Sequence, residues 1–243
     1  MKQTSIIKYI ISSLFICLFF CATIQAQNDS LQTKQIDTVK FKENYGLRLG
    51  GDLGKILRTF LDDEYKGFEI SGDYRLTRRW YVAGEIGTEE KLSINDYLDV
   101  TTTGSYFKAG ADYNAYDNWY GMENMLYGGF RVGVSTFSQT LNSYRVYSQD
   151  PYWTPQFTSE DSVKFGGLSA IWGEFIIGLK VEVLNNLYLG LNAQFKYMVS
   201  EDQPENFENV YIPGFQKTYD SGGFGFGYGY NISYLIPFYK KNK

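Results

Sequence analysis

The sequence predicts an all-β protein: an eight-stranded antiparallel transmembrane up-and-down β-barrel with long extracellular loops. Three observations predict it. Residues 222–239 alternate with period two, with Phe224, Phe226, Tyr228, Tyr230, Ile232, Tyr234, Ile236 and Phe238 on one parity and Gly225, Gly227, Gly229, Asn231, Ser233, Leu235 and Pro237 on the other. That pattern gives a strand one apolar face and one small or polar face. Seven further segments alternate in the same way, and the connections between them are short and long by turns. An even strand number, with short turns at one end and long loops at the other, is the outer-membrane pattern.

The elements follow in chain order. Lys2 and Lys8 precede an apolar run from Ile10 to Phe20, and Ala26 suits a cleavage site, so residues 1–26 read as a secretory signal peptide. Cys21 is a rival lipid acceptor, but Phe20 stands where such a signal wants a small residue. Residues 27–43 are polar and aperiodic and read as a flexible periplasmic lead, residues 44–239 as the barrel and residues 240–243 as a basic periplasmic tail. The first strand sets Tyr45, Leu47, Leu49, Gly51 and Leu53 against Arg48 and Asp52. The second sets Phe68, Ile70, Tyr74 and Leu76 against Glu69, Ser71, Asp73 and Arg75. The third sets Trp80, Val82 and Ile86 against Tyr81, Ala83 and Glu85, and the fourth sets Phe107, Ala109, Ala111 and Tyr113 against Lys108, Gly110, Asp112 and Asn114. The fifth sets Leu126, Phe130, Val132 and Val134 against Tyr127, Gly129, Arg131 and Ser135. The sixth sets Ile171, Phe175, Ile177, Leu179 and Val181 against Trp172, Glu174, Lys180 and Glu182. The seventh sets Leu187, Leu189, Leu191, Phe195, Tyr197 and Val199 against Tyr188, Asn192, Gln194 and Lys196. Short turns fall at 77–79, 117–124 and 184–186, and long connections at about 54–66, 89–104, 137–166 and 201–221.

Composition excludes several chemistries. Cys17 and Cys21 are the only cysteines and leave with the signal, so no disulfide is expected. The chain has no histidine, which removes Ser-His-Asp and Cys-His catalysis and histidine-ligated metals. No cofactor and no catalytic residue is expected. Without the signal's two lysines, 21 cations face 27 carboxylates, a formal charge of −6. With no basic run, this gives no footprint for nucleic acid.

Parity alone does not say which face is inside. A lipocalin-like soluble barrel, apolar face inward around a greasy ligand, satisfies the same alternation. The inverted barrel is favoured because the polar face mixes charge with glycine, the apolar face is rich in aromatics near strand ends, and long and short connections segregate. The inward face then carries Arg48, Arg75, Lys108, Arg131, Lys180 and Lys196 against Asp52, Glu69, Asp73, Glu85, Asp112, Glu174 and Glu182. Eight strands leave an interior only wide enough for side chains. The near balance of charge points to a structural ion-pair network in the lumen, with Arg48, Glu69, Lys108, Asp112, Arg131, Glu174, Lys180, Glu182 and Lys196 as its members. Paired carboxylates doing acid–base work are the competing reading. The loops offer a second candidate, a binding surface of Tyr144, Tyr147, Tyr152 and Trp153 in the 137–166 connection, against the plainer reading that these aromatics pack on one another.

A family resemblance rests on particular runs. Ser138 to Tyr144, Pro204 to Phe207, Tyr211 to Phe215 and the ending Ser233 to Lys241 resemble segments of an uncharacterised Bacteroidota outer-membrane family, the domain-of-unknown-function 6048 group. The closing strand also resembles the assembly signal of outer-membrane barrels. The resemblance implies a Gram-negative outer-membrane barrel and brings no catalytic or ligand residues. The expected function is a small, non-enzymatic structural or accessory envelope barrel with a sealed lumen. The alternative is a surface binder of glycan, lipid or protein through the aromatic loops. A lipid-modifying enzyme is a third, weakened by the missing histidine. Expected partners are outer-membrane lipid and a surface protein or glycan.

Overall fold

The computed structural model describes residues 42–117, 123–145, 158–159, 161–205, 208–216 and 223–242. The expected signal peptide and almost all of the expected periplasmic lead lie outside them. The described elements are β1 (Lys42–Asp52), α1 (Leu53–Leu61), β2 (Tyr65–Arg75), β3 (Trp80–Asn95), β4 (Leu98–Asn114), β5 (Met125–Arg145), β6 (Thr158–Ser159), β7 (Val163–Leu184), β8 (Leu187–Glu201) and β9 (Phe224–Asn242). Leaving aside the two-residue β6, which pairs only with the end of β5, eight long strands are antiparallel to their chain neighbours, and β9 pairs with β1 to close the ring. Among the described residues no helix is long and apolar enough to cross a membrane.

The alternation resolves as an inverted barrel. Ile70, Ile86, Phe107, Val134 and Ile171 are exposed, while Glu69, Lys108, Ser135 and Trp172 beside them in sequence are buried. Phe130, Phe175, Phe195 and Phe226 are cross-strand neighbours that form an aromatic row on the outer wall. An apolar belt around a charged, filled interior is the architecture of a transmembrane β-barrel.

Three features depart from the sequence pattern. The connection expected over 89–104 is largely ladder, since β3 and β4 pair as far as Asn95 and Leu98 and turn at Asp96 and Tyr97. The hydrophobic period fades there, but Thr101, Thr102 and Thr103 are β-branched and suit a strand that rises above the belt. Tyr45 was placed on the apolar outer face, yet it is buried. The β1–β9 register shifts between Tyr45 and Gly46, where β9 carries the extra residue Phe238, and beside this bulge the Tyr45 ring stacks on Tyr239 and is covered by the Arg75 guanidinium. At that bulge a Cβ on Gly46 would stand 2.0 Å from the Ile236 carbonyl oxygen, so only glycine fits.

The third departure is α1, in a stretch read as the end of a strand and a loop. Asp52 caps it, its carboxylate accepting from the Lys55 amide at 3.1 Å, and Asp62 closes it with its own amide donating to the Arg58 carbonyl. β1 pairs with β2 only from Leu47 to Gly51, and with β9 only up to Asp52 opposite Asn231. Beyond that point the edges of β2 (65–69) and β9 (224–230) have no strand between them, and α1 packs against both. The Thr59 hydroxyl accepts from the Gly67 amide at 2.8 Å and shares its one proton between the Gly67 carbonyl at 3.0 Å and the Lys55 carbonyl at 2.9 Å. One side chain thus does the work of a ladder partner at the open edge. The helix is a wall segment in place of missing strand.

Candidate functional site

The candidate site is the charged interior, built in three layers from the end where β1 starts and β9 finishes to the end bearing α1. In the first, Arg75 of β2 meets Glu43 at 2.6 Å and lies over the Tyr45 ring at 4.6 Å. Next, Asp73 takes two cations: Arg48 at 2.7 Å and Lys180 at 2.5 Å. Arg48 also lies over the rings of Tyr188 at 4.8 Å and Tyr81 at 5.5 Å. A cavity of about 10 Å³ beside Arg48 and Asp73 is room for about one water.

The middle layer is a connected network. Lys108, 1 % exposed, lies 2.8 Å from Glu85, 3.6 Å from Glu174 and 3.8 Å from Glu69. Arg131 Nη1 lies 2.7 Å from Asp112 Oδ1, and Nη2 donates to Oδ2 at 2.9 Å. Arg131 Nε is 3.8 Å from Glu85, which links the two groups. The Trp172 indole donates to Glu174 at 3.2 Å. Glu85 stands directly opposite Lys108 and Asp112 is diagonal to Arg131, while Glu69 and Glu174 reach Lys108 across the interior from β2 and β7; a common inward parity brings them together.

The upper layer is formed by α1 and the segment 208–216, neither of which the strand pattern could supply. Lys55 of α1 reaches inward to Glu69 at 2.9 Å and Glu89 at 2.6 Å, and also to the Tyr106 hydroxyl. Glu89 further accepts from Tyr65 at 3.1 Å, Tyr211 at 2.7 Å and the Gly214 amide at 3.0 Å. Its carboxylate, though fully buried, is therefore met by four donors, as a charge out of water requires. Burial by itself would lower the Lys55 ammonium, but the Glu89 and Glu69 carboxylates more than offset it and hold the group well above the ordinary lysine value. Burial and the neighbouring Glu89 charge push the Tyr211 phenol well up. Segment 208–216 dips into the mouth: Ile212 and Phe215 pack with Tyr106, Phe137, Leu168 and Trp172. Gln139 pins it from β5, donating to Asn209 at 2.8 Å and accepting from the Val210 amide at 3.0 Å. Gly214, at φ 82°, presses on the Tyr106 ring, where an added Cβ would lie 2.6 Å from the ring.

Most of the expected network members share this interior, with different partners in places. Arg48 and Lys180 pair with Asp73 rather than with Glu69 or Glu182. Lys196 is buried and donates to the carbonyls of Gly214 at 2.8 Å and Phe215 at 3.5 Å. Glu182 stands apart near the turn, accepting from the Asn186 amide at 2.9 Å, since the tight turn to β8 draws it to the rim. Lys55 and Glu89 were missed. The signal for Lys55 was an Asp-capped helix with Leu53, Leu57, Phe60 and Leu61 at helical spacing. Of the loop aromatics, Tyr144 is half-buried in β5, opposite Leu98 and Ser159, while Tyr147, Tyr152 and Trp153 lie outside the described residues. Among the described residues no group of carboxylates, histidines or cysteines could hold a metal ion.

The fold and interior together define a small transmembrane β-barrel with a filled, ion-paired lumen. The chain belongs to the family described as Domain of unknown function (DUF6048), which it matches over residues 6–241. No curated protein matches it. Among solved structures it is similar to Ail, the attachment invasion locus protein of Yersinia pestis, at 12 % identity and a TM-score of 0.40, covering 80 % of this chain and 97 % of that one. A likeness that loose carries no argument about function.

Proposed function

We propose that this protein is a non-enzymatic structural or accessory barrel of a Gram-negative outer membrane, with its lumen sealed and with α1 and segment 208–216 at the extracellular end. The observation that carries the reading is the combination of an apolar outer belt with an interior in which cations and carboxylates pair across layers and a chain segment packs into the mouth. Such an interior supports a sealed lumen, and carboxylates such as Glu69, Asp73, Glu85 and Asp112 are engaged by buried cations rather than presented to a substrate. The resemblance noted above adds Bacteroidota as the host group, and an N-terminal signal peptide is part of the proposal. The belt supports membrane lipid as the immediate partner. Three of the four loop aromatics lie outside the described residues, so they favour no second reading. Membrane fractionation tests the proposal: the full-length product should sediment with the outer membrane and migrate faster on gels before boiling than after. Recovery as a soluble periplasmic protein would overturn it.

A further inference from the structure

The seam where α1 replaces strand has a property that the hydrogen-bonded wall lacks. A groove of about 360 Å³ runs between α1 and β9, with Leu57, Leu61, Tyr228 and Tyr230 on its outer side and Lys55 and Gln216 deeper in. The helix turns its apolar face outward: Leu57, Phe60 and Leu61 are 57 %, 80 % and 84 % exposed. That exposure suits hydrocarbon and not water. A cavity of about 480 Å³ at the same end brings Arg58, Glu64, Lys91 and Gln216 together beside apolar Ile94, Val210 and Phe226. Arg58 and Gln216 line both spaces, so the apolar groove leads into this cavity. On the other side of the Tyr228–Tyr230 ridge a second groove, about 310 Å³ and walled by Leu126, Ile177, Leu179 and Leu191, lies against intact ladder and has no charged residue in its lining.

We propose that the α1–β9 seam is a binding site for a single zwitterionic diacyl phospholipid. One acyl chain lies in the groove between α1 and β9, the second lies across the Tyr228–Tyr230 ridge, and the headgroup enters the cavity. The occupant follows from the surroundings. The groove opens on the apolar belt, so the molecules that reach it are those of the membrane. The cavity presents both signs of charge, since Arg58, Lys91 and Glu64 line it and Lys91 lies 3.0 Å from Glu64. Paired cations and carboxylates of this kind match a headgroup carrying a phosphate and an ammonium better than a purely anionic one.

This inference rests on the membrane reading above, and its test separates the two. The full-length protein is reconstituted in phosphatidylcholine–phosphatidylethanolamine vesicles containing phosphatidylethanolamine with a photoactivatable acyl chain. After irradiation, labelled residues are mapped by peptide mass spectrometry. Labelling should be enriched several-fold at Leu57, Leu61, Tyr228 and Tyr230 over Ile86 and Phe107 on the rest of the belt. Leu57→Trp, which fills the groove, should remove the enrichment and leave belt labelling unchanged. Leu61→Trp serves the same purpose should Leu57→Trp fail to fold. Uniform labelling around the belt, or enrichment that survives both substitutions, would overturn the site while leaving the membrane reading intact. No labelling anywhere on the belt would overturn both. Equal enrichment with photoactivatable phosphatidylglycerol would overturn the zwitterionic assignment.

Discussion

Arg131 and Asp112 show how tightly individual residues are bound into the interior. Both are buried, and the only ion-pair partner described for Asp112 is Arg131. Arg131→Met should therefore strand a carboxylate and destabilise the barrel by about 3–5 kcal/mol, read from urea unfolding in detergent micelles. Lys55 makes a prediction about pH. Its folded-state value lies above the ordinary 10.5, so its contribution is fully present below that pH and is lost only as pH rises through the folded value. Unfolding midpoints should show no loss of this clamp between about pH 6 and pH 10 when wild type is compared with Lys55→Met. Lys55 and Glu89 also mark where sequence reasoning stopped. Strand parity assigns inward and outward faces only while the outer face is apolar. Around Glu89 the outward neighbours are Thr88 and Glu90, so the contrast that identifies a face disappears although the ladder continues. Lys55 was hidden for another reason: a short helix between barrel strands looks like a loop unless its cap and spacing are weighed.

Among the elements, α1 and β9 carry the sharpest expectations. Thr59 accepts from the Gly67 amide at 2.8 Å, and Thr59→Val would leave that amide without its acceptor. The loss should be about 1–3 kcal/mol, with Thr59→Ser restoring most of it in the same unfolding measurement. On β9, Tyr234 and Ile236 face outward while Ser233 and Leu235 are buried, as the alternation predicts. Tyr234→Arg should cost roughly 2–4 kcal/mol if the residue lies near the bilayer midplane. A variant as stable as wild type would contradict the register. The strands were legible because period two is a direct consequence of a two-sided wall. Their ends were less so, since β1 begins at Lys42 and β9 continues to Asn242, beyond the 44–239 read from pattern. Tyr45 was assigned to the wrong face because a bulge is a backbone event that no side-chain period records.

For the whole molecule, the filled interior predicts an electrical property. Purified protein in planar bilayers should pass no steady current of porin size, because paired side chains and the inserted segment occupy the lumen. A steady open-channel current would refute the sealed interior. The ring of eight strands and the polarity of its two faces were readable from the sequence alone; the packing of segment 208–216 into the mouth was not. It depends on Tyr211, Gly214 and Phe215 folding back over a span of more than a hundred residues to Glu89 and Tyr106.

The helix in the wall also answers a problem that every closed ladder faces. A strand can shift by two residues against its neighbour and keep both its hydrogen bonds and its face, so the ladder is a weak guardian of its own alignment. Such a shift would move α1 by about 7 Å along the wall. Lys55 would then leave Glu69 and Glu89, and Thr59 would leave Gly67. At the opposite end the bulge at Gly46 admits no second position. The seam between the first and last strands is thus keyed at both ends, like a zip with a stop at the top and another at the bottom, and the barrel has one way to close.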